Sequence, residues 1–285
     1  MKYAIEVEKL NKEYKKFKLD NVSFKIPKGT IMGFIGENGA GKSTTIKAIL
    51  NLIKKDSGSI KILGEEVIGD AREVKENLGI VLDGGNFHEK LNIKSINKIM
   101  KNIYKRWDEN DFYRYIKRFN IDDSKRIEEF SKGMKMKLSI AVALSHNAKI
   151  LILDEATSGL DPVVRDEILD IFMEFIQDEE NTILISSHIT SDLEKIADYI
   201  TFIHDGKILF SENKDKLIYE MGIVKCTESE FENIEKEDRT YYRKGAFSYE
   251  VLIKDRVKFS KKYPKLIIDN SNIEEIMLFY IKGEK

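Results

Sequence analysis

The sequence feature that most limits the fold is a glycine-rich segment between an apolar run and a helical pattern. Residues 31–35 are apolar and pass directly into GENGAGKSTT, after which apolar residues recur at positions 46, 49, 50 and 53. Residues 36–43 match the pattern G-x-x-x-x-G-K-[ST], in which glycines let backbone N–H groups point at phosphate oxygens. The sequence therefore predicts a strand, a phosphate-binding loop and a helix.

This loop predicts a site for a nucleoside triphosphate and Mg²⁺. Lys42 is expected to reach the β- and γ-phosphates, and the Ser43 hydroxyl is expected to ligate Mg²⁺. The helix that follows adds the positive end of its dipole. The alternative is a glycine turn with no ligand. The predicted nucleotide-binding residues of the segment are Gly36, Asn38, Gly39, Ala40, Gly41, Lys42, Ser43 and Thr44.

A pair of carboxylates supplies the second part of the predicted site. The apolar run at residues 150–153 ends in Asp154 and Glu155. At the carboxyl end of a strand beside the phosphate loop, Asp154 is expected to hold Mg²⁺ through water. Glu155 is expected to polarise the water that attacks the γ-phosphate. These two motifs alone are compatible with any P-loop ATPase or GTPase.

The apolar patterns predict an α/β fold with two kinds of sheet. The continuous runs at 150–153 and 183–185, separated by a helical pattern over about 164–177, indicate a parallel sheet covered on both faces. Apolar residues alternate at 5 and 7, at 22, 24 and 26, and at 60 and 62, which favours an antiparallel layer. Asp205 and Gly206 predict a tight hairpin turn.

Two further regions are expected to be distinct. Residues of about 86–148 have a helical pattern and predict an inserted helical subdomain. Their apolar stripe is expected to be the core of that subdomain: Ile93, Ile96, Ile99, Met100, Ile103, Tyr104 and Trp107. The motifs stop near residue 211, so we predict an ATPase domain over 1–211 and a small α+β accessory domain over 212–285.

Composition argues against some partners. The 48 Lys and Arg residues nearly balance the 49 Asp and Glu residues, so no overall positive field indicates nucleic acid. The single cysteine, Cys226, cannot form an internal disulfide, which agrees with a cytosolic location. No run approaches the roughly 18 apolar residues of a membrane span, so membrane work would require other chains.

Four further segments resemble motifs of the ABC ATPase family. Residues 130–134, FSKGM, resemble the signature LSGGQ, and residues 158–161 are similar to the D-loop. His188 resembles the switch histidine, and Tyr14 sits where the family has an aromatic residue that stacks on adenine. With the phosphate loop and the Asp-Glu strand, six motifs occur in the family's order. The chain is identified as a member of that family, with an ABC ATPase fold.

This resemblance implies how the site is completed. In the family two ATPase subunits face head to tail, so Ser131, Gly133 and Asp161 of one subunit would close on the ATP of the other. His188 would join Lys42 and Glu155 in catalysis. The expected partners are a second ATPase subunit, as a homodimer or heterodimer, and separate membrane permeases. The expected location is peripheral, on the cytoplasmic face of the cell membrane.

The sequence departs from the family pattern at several positions. Phe130, Lys132 and Met134 replace Leu, Gly and Gln of the signature, and Ala156 replaces the proline that usually follows the catalytic glutamate. Asp83 stands where the family has a glutamine that contacts Mg²⁺. We therefore include Asp83 with Ser43 and Asp154 as predicted metal ligands; the alternative is a solvated loop carboxylate.

The overall resemblance is to ATPases of bacterial ABC-2-type exporters that serve antimicrobial-peptide resistance or export amphipathic peptides such as phenol-soluble modulins. It implies export of a peptide or hydrophobic toxin. An importer subunit would share every catalytic residue. A soluble ABC protein acting on ribosomes or DNA would carry tandem cassettes or long heptad insertions. The basic run at 15–18 is interpreted as a solvated turn, with a phosphate role as the alternative, and His88, His146 and His204 as structural.

Overall fold

The computed structural model describes residues 2–69, 72–83, 87–246 and 248–285. The chain divides into two compact units, one of Met1–Ala197 with Ile203–Ile208 and one of Asp198–Phe202 with Leu209–Lys285. The first unit contains β1 (Tyr3–Tyr14), β2 (Phe17–Pro27), β3 (Ile31–Ile35), α1 (Lys42–Ile49), β4 (Ser57–Ile62), β5 (Glu65–Glu66), α2 (Arg72–Lys75), β6 (Leu78–Val81), α3 (Ile93–Ile103), α4 (Glu109–Arg118), α5 (Lys132–Leu144), β7 (Ile150–Asp154), α6 (Pro162–Phe175), β8 (Thr182–Ser187) and α7 (Thr190–Ile196).

The antiparallel layer of the first unit has the strand order β2-β1-β4-β5. Val7 pairs with Phe24 on one side and with Ile60 on the other, and all three side chains are buried. Apolar residues alternate along these strands because one face of the sheet is covered and the other is not. The predicted antiparallel layer is confirmed.

The phosphate loop follows a strand of the parallel sheet. Strands β3, β8, β7 and β6 are neighbours in that order, and each adjacent pair is parallel. Strands β3, β7 and β8 are buried at every position, as continuous apolar runs require. Their carboxyl ends lie on the same edge, which brings the residues after β3, β7 and β8 together. The predicted parallel sheet is confirmed.

The helical region includes α3, α4 and α5, and its apolar stripe differs from the prediction. Ile93 and Ile96 are fully buried, but Ile99 is 37% exposed and Ile103 is 58% exposed. The stripe was therefore wrongly predicted to be core over its full length. Helix α3 ends at Ile103, and Tyr104 has φ −98° and ψ 125°, so the helical period stops there.

The second unit is built on a four-stranded antiparallel sheet. Strands β9 (Tyr199–His204) and β10 (Lys207–Asn213) carry residues of both units. The remaining elements are β11 (Gly222–Cys226), α8 (Glu228–Asn233), β12 (Tyr241–Lys244), β13 (Tyr249–Ile253), α9 (Arg256–Lys262), β14 (Ile268–Asp269) and α10 (Ile273–Lys282). The sheet order is β12-β13-β11-β14, and its core includes Val224, Phe231, Val251 and Phe259.

Within the described ranges, every helix falls short of the length and apolar character that a membrane crossing requires.

Candidate functional site

The phosphate loop takes a backbone path that requires glycine at two positions. Gly41, the residue before α1, has φ +118°, a backbone angle that residues other than glycine rarely adopt. A Cβ atom at Gly41 would also lie 2.7 Å from Leu19 Cδ2, and one at Gly36 would collide with the carbonyl oxygen of Ile203. The glycines therefore allow both the left-handed turn and the close packing of the loop on β2 and residue 203.

Lys42 places a buried cation inside this loop. Its side chain is 6% exposed, and Nζ donates hydrogen bonds to the carbonyl oxygens of Gly36 at 2.7 Å and Glu37 at 3.3 Å. Nζ also lies 3.4 Å from Glu155 Oε1. A buried ammonium is stable only with such partners. The two carbonyls and the carboxylate therefore hold the positive charge next to the loop amides.

Asp154 is a buried carboxylate at the end of β7. The residue is 3% exposed, and Ser186 on the neighbouring strand β8 donates a hydrogen bond from Oγ to Asp154 Oδ1 at 2.5 Å. The pairing follows from the parallel register, which sets Asp154 opposite Ser186. A carboxylate at this depth needs donors or a cation, and Ser186 supplies one donor.

Glu155 has an unusual backbone and two charged or titratable neighbours. Its φ is +54°, which is uncommon outside glycine and is found where a functional site constrains the chain. Its backbone N–H is within 3.1 Å of both the carbonyl oxygen and Oγ of Ser186. His188 Nδ1 lies 2.7 Å from Glu155 Oε2, while Lys42 lies near Oε1. The carboxylate is thus held between an imidazole and an ammonium.

Lys42, Glu155 and His188 open into one cleft of about 680 Å³, and Asp154 is not among its lining residues. The cleft is lined by Lys16, Phe17, Glu37, Asn38, Gly39, Gly41, Lys42, Ser43, Thr44, Asp83, Glu155, Ser158 and His188. Asp83 is exposed and follows β6, so the structure places its side chain beside the phosphate loop. Glu37 and Ser158 were not among the predicted nucleotide or metal residues, and Lys16 and Phe17 lie in the basic run for which a phosphate role was the alternative. Phe17 and Leu19 are two residues apart along β2 and therefore share one face of the strand. This alternation is the sequence signal that could have identified Phe17 as a residue of the cleft.

Comparison with known proteins decides the family. A family model described as ABC transporter matches residues 19–158. The bacitracin transport ATP-binding protein BcrA of Bacillus licheniformis is 37% identical over 213 residues, covering 73% of this chain and 69% of that protein. The lantibiotic transport ATP-binding protein SrtF of Streptococcus pyogenes is 36% identical over 214 residues, covering 74% and 91%. This chain belongs to the ATP-binding subunits of ABC transporters.

The fold agrees with that assignment. A solved ATP-binding subunit of an ABC transporter superposes with a TM-score of 0.67 and 27% identity, covering 75% of this chain and 91% of that structure. As an ABC ATPase, the chain binds and hydrolyses ATP. ATPase subunits of this family dimerise and work with membrane permease subunits.

Other predicted site residues of this ABC ATPase lie outside the cleft of their own phosphate loop. Ser131 is the N-cap of α5 and accepts a hydrogen bond from the backbone N–H of Met134 at 3.2 Å. Asp161 is the N-cap of α6 and accepts one from Val164 N–H at 3.1 Å. Gly133 packs on α6, because a Cβ on it would lie 3.5 Å from Val164 Cγ1. These residues form a second cluster, which we call the signature cluster: Ser131, Gly133 and Asp161.

Lys132, which replaces the first glycine of the signature, lies between this cluster and the loop that follows Glu155. A Cβ on Gly159 would lie 2.7 Å from Lys132 Nζ, and Gly159 has φ +67°. The lysine side chain therefore lies against the 158–161 loop of its own subunit. Glycine at 159 accommodates both this contact and the left-handed backbone.

Tyr14 is placed next to the cleft residue Phe17. The two are directly paired at the end of the β1–β2 hairpin. Tyr14 is 46% exposed and is not among the residues lining the cleft, and Lys12 Nζ lies 5.4 Å from its ring centroid. Phe17 packs on the phosphate loop, since its Cζ lies 3.0 Å from the position that a Cβ on Gly41 would take.

The remaining histidines occupy structural or loop positions. His146 is fully buried, stacks on Tyr104 with ring centroids 3.9 Å apart, and has Nε2 3.0 Å from the carbonyl oxygen of Leu78. Burial lowers the pKa of His146 below its ordinary value. His88 is exposed, and its Nδ1 accepts a hydrogen bond from Lys90 N–H at 3.3 Å. His204 Nδ1 lies 3.4 Å from Glu37 Oε2.

Proposed function

We propose that this ABC ATPase powers export of a peptide or hydrophobic toxin through separate permease subunits. The observation that carries the proposal is similarity, over about three quarters of the chain, to ATP-binding proteins named for bacitracin and lantibiotic transport. Both names denote antibiotic cargo. The chain acts peripherally at the cytoplasmic face of the membrane, where its ATP supply and its permease partners meet.

We further propose a role in catalysis or binding for each of the main residues of the cleft. Lys42 binds the β- and γ-phosphates, since its ammonium is already held among the loop carbonyls. Glu155 accepts the proton of the attacking water. Its contact with His188 at 2.7 Å fixes the orientation of the carboxylate. Residues 1–211 carry this chemistry, and 212–285 form an accessory domain.

Mg²⁺ fits the donor set of the proposed site. Hard cations of this kind prefer oxygen ligands and bind through one or two carboxylates together with substrate phosphates. The predicted donors Ser43, Asp154 and Asp83 are all oxygen ligands. Among the described residues no group of three or more His, Cys, Asp or Glu side chains could hold a metal ion alone. Mg²⁺ would therefore enter with the nucleotide and neutralise charge on its phosphates.

The signature cluster supports a head-to-tail dimer. Ser131, Gly133 and Asp161 lie outside the cleft lined by Lys42 and Glu155 in the same chain. A second ATPase subunit, identical or homologous, would supply these residues to the ATP held here, and this subunit would supply its own to the partner's ATP. Hydrolysis would then separate the two subunits by removing the shared ligand.

Two measurements test the proposed function. A tagged chain purified from gently solubilised membranes should carry hydrophobic permease subunits, whereas recovery with ribosomes or DNA would contradict the transporter assignment. Inside-out vesicles containing the complex should then accumulate labelled bacitracin or a labelled lantibiotic when ATP is added outside. Vesicles carrying Lys42→Ala provide the control. ATP-dependent loss of labelled peptide from preloaded inside-out vesicles would identify an importer instead.

A further inference from the structure

The turn between β1 and β2 lies over the phosphate loop. The turn consists of Lys15 and Lys16, between the paired residues Tyr14 and Phe17. Directly paired residues share one face of a sheet, and so do residues two apart along a strand. Tyr14, Phe17 and Leu19 therefore share the face that meets the loop.

Phe17 and Leu19 hold this face against Gly41. The position of a Cβ on Gly41 lies 3.0 Å from Phe17 Cζ and 2.7 Å from Leu19 Cδ2. Leu19 is fully buried and Phe17 is partly buried, so this packing extends the core towards the turn end of the hairpin. The tip of the turn is thereby fixed next to the residues that bind phosphate.

The lysines around this turn differ in what they contact. Lys18 pairs with Asp20 at 3.2 Å, and Lys12 pairs with Asp56 at 2.9 Å. Lys16 is exposed, lines the cleft with Asn38, Gly39 and Lys42, and has no hydrogen bond or ion pair with another described residue. Lys15, its neighbour in the turn, does not line the cleft. Of the described lysines that line the cleft, Lys16 is therefore the one without such a partner.

The charges around the cleft favour a second cation for the nucleotide. Its lining includes three carboxylates, Glu37, Asp83 and Glu155, and only two lysines, Lys16 and Lys42. Lys42 already bonds to two carbonyl oxygens and lies 3.4 Å from Glu155. A chain of phosphates brings further negative charge into this space, and opposite charges at a few ångströms stabilise it.

We propose that Lys16 is a second lysine contact for the phosphate chain of ATP, held in place by Phe17. The proposal rests on the proposed ATP site at Lys42 and adds a residue from a different part of the fold. Phe17 is a positioning residue, because it acts through the turn that carries Lys16.

The test compares Lys16→Met with the matched control Lys15→Met in the full-length chain. Dissociation constants for ATP, ADP and AMP are measured with fluorescent nucleotide competition at low and high salt. Lys16→Met should weaken ATP binding about twofold to fivefold, the range of a solvent-exposed charge pair. The loss should decrease from ATP to ADP to AMP, and it should shrink at high salt because salt screens exposed charges. Lys15→Met should bind all three nucleotides as the unchanged protein does.

A second variant tests the role of Phe17. Phe17→Leu keeps an apolar contact on Gly41 but loosens the turn, so Lys16→Met should have a smaller effect in that background than alone. Equal dissociation constants for Lys16→Met and Lys15→Met would overturn the proposal, as would the same fractional loss for AMP and ATP. Failure of the unchanged protein to bind ATP would instead overturn the ATP site itself.

Discussion

The region around the cleft includes charged side chains of low exposure, whereas the described part of the second unit has none that is buried. In the cleft region Lys42 is 6% exposed and Asp154 is 3% exposed. In the described part of the second unit, the buried polar residues are Thr201 and Ser271, and neither carries a charge. Its core is apolar and aromatic. Burying charge costs free energy unless partners or a ligand compensate, so the comparison identifies the region built for binding.

The two regions also differ in backbone geometry. Glu155 and Gly41 line the cleft, and both have positive φ. The second unit instead begins its helices with ordinary caps, including capping boxes at Thr227 with Glu230 and at Asn272 with Glu275. Changes in the first region should alter chemistry, and changes in the second should alter stability.

The largest expected effect follows from Lys42→Ala. Loss of the buried ammonium should slow ATP hydrolysis by at least about a hundredfold. This is the usual cost of removing one fixed donor that stabilises charge in the transition state. ATP binding should weaken as well. Steady-state phosphate release and nucleotide titration measure both effects, with Lys47→Ala on the same helix as the control. Turnover equal to that of the unchanged protein would show that the cleft is not the ATP site.

A substitution in the core of the second unit should lower stability and leave ATP binding unchanged. Phe279 is fully buried, and the guanidinium of Arg243 lies 4.2 Å from its ring centroid. Phe279→Ala should lower the free energy of unfolding by about 3–5 kcal/mol, the usual cost of such a cavity. Denaturant unfolding measures this, with Tyr219→Ala, at a position 71% exposed, as the control.

The same variant separates stability from ATP binding when binding is measured on the folded protein. At a temperature where Phe279→Ala remains folded, its dissociation constant for ATP should equal that of the unchanged protein. The milder Phe279→Leu provides the measurement if the alanine variant does not fold. A weakened nucleotide site in the folded leucine variant would mean that the second unit takes part in ATP binding.

Substitution of Asp83 should have a smaller effect, on ATP affinity, and this effect should depend on Mg²⁺. Its carboxylate lines the cleft, and at an effective dielectric near 20 two negative charges about 6 Å apart repel by roughly 3 kcal/mol before solvent screening reduces it. Bound Mg²⁺ would offset this repulsion, because the carboxylate and the phosphate could both coordinate it. Asp83→Gln should therefore raise ATP affinity measured in EDTA and reduce the gain that Mg²⁺ provides. Identical metal dependence in both proteins would support the solvated carboxylate.

The sequence predicted the parts of the molecule that depend on residue type and order. The position of Asn38, Gly39 and residues 41–44 along the cleft could be anticipated, because a glycine-rich turn followed by Lys42 and Ser43 offers amides, a cation and a hydroxyl together. The two kinds of sheet followed from continuous and alternating apolar runs. These features are local, so a short stretch of sequence contains the physical reason for them.

Other features depend on which distant segments meet. The exposure of Ile103 could not be predicted, since periodicity shows that a helix has an apolar face but not what covers that face. The packing of Phe17 on Gly41 requires a hairpin and a loop far apart in sequence to come together. The positive φ of Glu155 is set by the strands that hold it. Such features are tertiary, and propensity does not encode them.

Glu155, which lies between His188 and Lys42, is the residue whose substitution tests both the hydrolysis chemistry and the shared ATP site. Glu155→Gln keeps the shape of the side chain but removes the proton acceptor, so hydrolysis should slow by about a hundredfold or more while ATP still binds. ATP should then persist between two subunits, and size-exclusion chromatography of the variant should show a dimer with ATP and a monomer without it. A variant that hydrolyses ATP normally and remains monomeric with ATP would contradict both the role of Glu155 and the shared site.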